Sequence, residues 1–175
     1  MEFVPFRKIR RARDNGIIIT EKLDGTNAQI AISEDGSIRF GSRKRWVTPE
    51  ADNFGFAAWA HEHIDELRTL GPGRHFGEWY GLGVQRGYGL QEKRLALFNT
   101  HRPPESLPAC VEQVPVLYRG PYVAGAIEET MGALMASGSH AAPGFMKPEG
   151  IVTYFHLTQT MIKRTDRDVP KGSDL

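Results

Sequence analysis

Five residues without a charge, Gly16-Ile17-Ile18-Ile19-Thr20, run straight into the polar stretch Glu21-Lys22-Leu23-Asp24-Gly25-Thr26-Asn27. The β-branched run fits a strand and the glycine-containing stretch a turn, with a second strand from Ala28 to Ser33. A lysine therefore leaves a buried strand at the mouth of a tight turn. Glu34-Asp35-Gly36 reads as a hairpin turn into a strand from Ser37 to Gly41. Further strands are expected at Arg74 to Tyr80, Arg94 to Asn99 and, briefly, Val114 to Tyr118. Ile151 to Leu157 and Thr160 to Lys163 read as a closing hairpin. From Asn53 to Leu70 the period changes: Ala57, Ala60, Ile64 and Leu67 recur at helical spacing, Asn53 can cap the start, and Gly71-Pro72-Gly73 ends it. A second helix fits Val123 to Met135, with Ile127, Met131 and Leu134 on one face. The strand connections read as mostly local. The expectation is an α+β domain, mainly antiparallel sheets with flanking helices, rather than a doubly wound parallel sheet.

At 175 residues the chain suits one domain. The lone Cys110 excludes an intramolecular disulfide and a zinc site built on cysteines. No apolar run approaches the roughly 18 residues of a membrane span, and the N-terminal residues carry charges where a signal peptide needs its apolar centre. A cytoplasmic, monomeric protein without a membrane partner is expected. Twenty-two Lys and Arg against twenty-one Asp and Glu give a net charge of +1, so only local clustering can point to a nucleic acid. Two basic clusters qualify: Arg7, Lys8, Arg10, Arg11 and Arg13, and then Arg43, Lys44 and Arg45. Trp46, Trp79 and Tyr80 lie near in sequence and could stack on exposed bases. His61 and His63 fall on a helix at i and i+2, which point apart, so they are not read as a metal site. His75 and His101 have no partner at metal-ligand spacing.

Lys22 is the chemical focus. A lysine held partly out of water can lose its proton and act as a nucleophile. A single Lys-x-Asp-Gly is a weak signal, since a solvated turn lysine looks the same. The chain carries five more short elements in order: Ser42-Arg43-Lys44-Arg45, Phe76-Gly77-Glu78-Trp79-Tyr80-Gly81, Leu95-Ala96-Leu97-Phe98, Glu149-Gly150-Ile151-Val152 and Ile162-Lys163. Together with Lys22, Asp24 and Gly25, this ordered set resembles the covalent nucleotidyltransferases: ATP-dependent DNA ligases, RNA ligases and mRNA-capping enzymes. Thr26-Asn27 after the lysine motif is closer to the RNA ligases that repair nicked duplexes and edit RNA.

The resemblance implies the ATP-grasp-like nucleotidyltransferase domain of DNA and RNA ligases over residues 1–165; a polar tail over 166–175 is expected, without the C-terminal OB-fold or helical domain that the relatives carry. It implies an ATP-dependent RNA ligase with catalytic residues Lys22, Lys163 and Glu149. Lys22 would take AMP from ATP as a lysyl phosphoramidate, pass it to a 5′-phosphate end, and that end would be sealed to a 3′-hydroxyl. Lys163 and Mg²⁺ or Mn²⁺ would neutralise phosphate charge, with Glu149 the best side-chain metal ligand, and Asp24 and Asn27 acting through water. Glu78 would accept a ribose hydroxyl, Arg43 would hold the ribose or phosphate, and Phe98 would stack on adenine. Backbone groups from Glu21 to Leu23, beside Gly25, would choose the base. The polynucleotide, a nicked duplex or RNA ends, would meet Arg7, Lys8, Arg10, Arg11, Lys44 and Arg45.

One departure stands out. The family's fifth motif carries two lysines one residue apart, and Thr165 occupies the second position. Arg164 can compensate only from the opposite face of a strand. Two other readings stay open: a GTP-using capping-type guanylyltransferase, and a non-catalytic nucleic-acid-binding relic of the fold.

Overall fold

The isoleucine run forms β1 (Gly16–Lys22), and it is central rather than the first arm of a hairpin. In the computed structural model, which describes residues 15–168, β1 lies between β8 (Val116–Pro121) and β9 (Gly150–Phe155). Antiparallel β10 (Thr160–Thr165) completes a four-stranded sheet ordered β10-β9-β1-β8. The β9–β10 hairpin agrees with the sequence expectation, but the partners of β1 come from far along the chain. Burial on both faces explains why the strand reads as a continuous apolar run. Ile17, Ile19 and Ile151 pack against Ala126, Ile127, Met131 and Leu134 of α3 (Ala126–Ser137).

Leu23 to Gly25 then carries the chain across into a second sheet. Its six strands are ordered β4-β3-β2-β5-β6-β7: Trp46–Val47, Ile38–Gly41, Thr26–Ile32, Gly73–Gly81, Lys93–Leu97 and Val111–Gln113. Every pair is antiparallel except β6–β7. Ala28, Ile30 and Ile32 alternate along β2 onto one face, where Phe40, Trp79 and Leu95 join them. Helices α1 (Phe56–Glu62) and α2 (Ile64–Arg68) cover that face with Phe56, Ala57, Ala60 and Leu67. The fold is α+β with two mostly antiparallel sheets and few helices.

Four local expectations are corrected. The single helix from Asn53 is two short helices broken at His63. Its N-cap position is Gly55, and the carboxylate of Asp52, three residues earlier, accepts the Ala57 and Ala58 N–H groups at 2.7 and 3.0 Å, while Asn53 donates to the Thr26 hydroxyl. The strand expected at Val114 to Tyr118 starts at Val116 and runs to Pro121 as β8, and a separate short strand just before it, β7, belongs to the other sheet. Trp79 and Tyr80 are buried, so neither can stack on a base. The Trp79 indole donates to the Phe54 carbonyl and the Tyr80 hydroxyl to Glu112.

Candidate active site

Register decides what faces the space between the sheets. On β1, Ile18, Thr20 and Lys22 point into it, because Ile17, Ile19 and Glu21 are turned toward α3 and its following loop. Glu21 is wholly buried there. Its carboxylate accepts the Ser139 hydroxyl at 2.6 Å and the His140 and Ala141 N–H groups at 2.9 and 3.1 Å. Glu21 thus fixes the loop that leads to Glu149 while its backbone lines the cleft.

The cleft has a volume of about 680 Å³. Thr20, Lys22, Val152 and Tyr154 line it from the four-stranded sheet, and Asn27, Phe76, Glu78 and Phe98 from the other. Phe98 is 43% exposed, so it is a wall of the cleft and not a core aromatic. Lys163 stands directly across from Val152 in the β9–β10 register and so shares the cleft face. Arg164 points away and pairs with Glu128 of α3 at 2.6 Å. Thr165 is bound through its hydroxyl and N–H to Asp168.

Lys22 Nζ lies 2.6 Å from Glu149 Oε2, with both side chains largely shielded. Glu78 sits across the cleft. It accepts the Gly25 N–H at 3.1 Å and the Asn27 amide at 3.4 Å. Burial pushes its carboxyl up to about 7, against the opposing pull of the Lys22 charge and the Gly25 N–H. Gly25 is needed for close approach: a Cβ there would collide with the Trp79 carbonyl oxygen and crowd Tyr80 and Glu78. Gly150 is equally constrained, since at φ +152° a Cβ would strike the Arg164 carbonyl.

Asp24 turns away from Lys22 toward Arg86, which sequence reading overlooked. Arg86 Nε donates to Asp24 at 2.8 Å, Nη1 to the Lys147 and Pro148 carbonyls, and Nη2 to Asp166 at 3.0 Å. One guanidinium therefore ties the lysine turn, the approach to Glu149 and the end of β10 together. Its only signal was a lone cation in the glycine-rich stretch Gly81 to Gly89. Tyr88 from the same stretch accepts the Asp24 N–H at 2.8 Å.

Among the described residues no three His, Cys, Asp or Glu side chains gather as a metal cluster. Magnesium needs no such cluster, because it is held by one or two carboxylates with water and phosphate oxygens. Glu149 at the cleft fits that demand, whereas Asp24 is already committed to Arg86.

Arg43 and Lys44 are exposed in the turn between β3 and β4, and Arg43 lines a smaller hollow of about 200 Å³ beside the cleft. Arg45 bonds to the carbonyls of Ala51 and Asp52 and so holds the loop after β4. Arg7, Lys8, Arg10 and Arg11 lie outside the described residues. No helix among the described residues is long and apolar enough to cross a membrane.

Comparison with known proteins agrees with the fold. The chain resembles solved structures of Naegleria gruberi RNA ligase. The form with PPi is 20% identical with a TM-score of 0.66, covering 89% of this chain and 51% of that one. A mutant with ATP and Mn is 17% identical with a TM-score of 0.65, covering 89% and 50%. A second mutant, with AMP and Mn, gives the same identity and TM-score. At these identities the likeness shows the fold, and the chain spans about half the length of those structures. No curated protein matches the chain. The sequence profile described as RNA ligase matches residues 15–165, nearly the whole chain, and the protein belongs to the RNA ligase family.

Proposed function

We propose that this domain is the adenylyltransferase unit of an ATP-dependent RNA ligase, with Lys22 as its nucleophile. The observation that carries this reading is Lys22 at the end of β1, its amine in the cleft and 2.6 Å from Glu149. Deprotonated Lys22 attacks the α-phosphorus of ATP. A P–N bond forms, the bond to the β-phosphate breaks, and pyrophosphate leaves with the electron pair. AMP then moves from Lys22 to a 5′-phosphate end, and a 3′-hydroxyl displaces it to seal the strand.

Each cleft residue has a part suited to its chemistry. Phe98 offers an open ring for the adenine, and stacking does not read the base edge. Glu78 accepts a ribose hydroxyl, and Asn27 steadies its carboxylate. Lys163, on the same face as Lys22, supplies positive charge to phosphate oxygens that gain charge in the transition state. Arg43, beside Phe98, reaches the ribose or phosphate from the sheet's edge. Glu149 would hold a divalent cation, which lends charge neutralisation to the triphosphate. Thr165 leaves the family's second lysine position neutral, and Arg86 brings a cation to that end of β10 through its pair with Asp166.

The test is label transfer: protein with α-labelled ATP or GTP and Mg²⁺, resolved on a denaturing gel beside Lys22→Ala. Label from ATP that vanishes in the variant is expected. Preference for GTP would replace the reading with a capping-type one. Absence of label from both, with Lys22 shown by mass spectrometry to arrive unmodified, would sink it.

A further inference from the structure

The face of the six-stranded sheet that carries Glu78 continues past the nucleotide cleft toward Trp46 and Arg74, and among the described residues no other element buries that part of it. Register assigns its residues in rows. Asn27 stands opposite Glu78 at the cleft end. The next row runs Trp46, Gly41, Gln29, Phe76 and then Phe98, whose N–H donates to the Phe76 carbonyl. The row beyond is Arg39, Ala31, Arg74. The opposite face of these strands is the apolar core, so the open face is set by the same alternation that builds the core.

Its chemistry is distinctive. Trp46 and Phe76 are 38% and 50% exposed, and with Phe98 they make an aromatic row about 19 Å long, four strand spacings of about 4.8 Å each. The Arg39 and Arg74 guanidinium groups lie 4.3 and 5.8 Å from the centroid of the Trp46 ring. Among the described residues, Arg39, Arg74, Arg43 and Lys44 form no ion pair with a carboxylate, in contrast to Arg86, Arg94 and Arg164. Of the two acids that register places on this face, Glu78 sits at its cleft end and Glu112 is taken up by Tyr80 and Arg94. Exposed aromatic rings interleaved with cations that no described carboxylate neutralises suit a ligand with π-faces and a line of negative charge.

We infer that this face binds the unpaired end of a polynucleotide strand, with bases on the Trp46–Phe76 row and phosphates at Arg39 and Arg74. A duplex keeps its base faces stacked inside and cannot use the aromatic row, so the strand end is single-stranded. The row leads from Trp46 to Phe98, so a strand laid along it delivers its terminal nucleotide to the cleft that holds Lys22. The inference rests on the polynucleotide-ligase reading for that last step, and the surface itself can be tested apart from it.

The experiment measures fluorescence anisotropy of a labelled single-stranded oligouridylate with the full chain, without nucleotide, next to label transfer from ATP on the same preparations. The variants are Trp46→Ala, Trp46→Phe and the pair Arg39→Gln with Arg74→Gln, which leaves the ring and β4 in place. Trp46→Ala is expected to weaken binding roughly five- to hundredfold, with Trp46→Phe recovering much of it. The arginine pair is expected to lower the slope of log Kd against log salt by about 1.4, two phosphates at about 0.7 each. Label transfer to Lys22 should be unchanged in all three. Wild-type affinity in both the tryptophan and the arginine variants would overturn the platform while label transfer stands. A blunt duplex that competes as well as single strand would overturn the unpaired-end assignment. Loss of label transfer in the unsubstituted protein would overturn the catalytic reading instead, and the anisotropy series would still decide the platform.

Discussion

Lys22 Nζ and Glu149 Oε2 lie 2.6 Å apart although 127 residues separate them in the chain. Neither side chain is more than a quarter exposed, so each charge depends on the other. Lys22→Ala should abolish label transfer from ATP. Glu149→Gln keeps the shape and removes the charge, and label transfer should fall roughly hundredfold. Densitometry of the labelled band checks both, and full labelling in Glu149→Gln would remove that residue from the chemistry.

Glu78 makes the site sensitive to pH near neutrality. Its folded pKa is raised from 4.5 to about 7, chiefly by burial. The folded state therefore holds a proton that the unfolded state has lost between those values, and stability declines as pH rises through that window. The full cost above pH 7 is about 3 kcal/mol. Glu78→Gln should flatten the dependence of urea midpoint on pH between about 4.5 and 7. Acceptance of a ribose hydroxyl favours the ionised form, so AMP affinity of the unsubstituted protein should climb as pH passes through 7. Titration calorimetry at a series of pH values gives the answer, and a flat profile would remove Glu78 from ribose recognition.

Arg86 should behave as a clamp. Arg86→Ala leaves Asp24 without its partner and three backbone or side-chain acceptors without a donor. The expected loss is about 2 kcal/mol, or a fall in Tm of about 4–8 °C. Lysine cannot reproduce the forked geometry, so Arg86→Lys should recover less than half of the loss. Thermal melts of the two variants decide between a clamp and a simple surface cation.

Phe98→Ala separates a cleft wall from a core residue. At 43% exposure its removal should cost under about 1 kcal/mol of stability, well short of the loss expected for a buried phenylalanine. Affinity for AMP should drop by roughly tenfold, the worth of one base stacked on an aromatic ring. A large stability loss with unchanged affinity would return Phe98 to the core.

Gly25→Ala should destabilise the fold by about 3 kcal/mol, because its new methyl group meets the backbone of β5 and cannot be relieved by a rotamer change. A urea midpoint within error of the unsubstituted protein would mean that the lysine turn can shift away from β5.

Much of this was written locally. The β9–β10 hairpin, the β2–β3 pairing over Glu34-Asp35-Gly36 and the strand ending at Lys22 follow from alternation and turn chemistry within a few residues. The ordered short motifs pointed to Lys22, Glu78, Phe98 and Glu149, and all four border the same cleft or one another. What escaped depended on distance or on one strong residue. Pro115 stands between β7 and β8, and the change of sheet that happens there is something local propensity cannot foresee. Trp79 and Tyr80 read as surface stackers from their nearness in sequence to the basic clusters. Yet Trp79 enters the helix-covered core, and Tyr80 is sealed by Tyr88 and Glu112. Arg86 belongs to no periodic pattern, and its four partners are spread over three segments. Arg39 and Arg74 become neighbours only through the pairing of β2 with both β3 and β5.

The placement of β1 between β8 and β9 has a consequence for the protein's birth. Lys22 leaves the ribosome before its acidic partner, which follows 127 residues later, a wait of about ten seconds at ordinary translation speeds. Until then β1 has no ninth strand to zip against, and the isoleucine run must be shielded or stay open. With Lys22 as the proposed nucleophile, a half-made chain would be chemically mute: Lys22 is already synthesised, but neither Glu149 nor Lys163 yet exists.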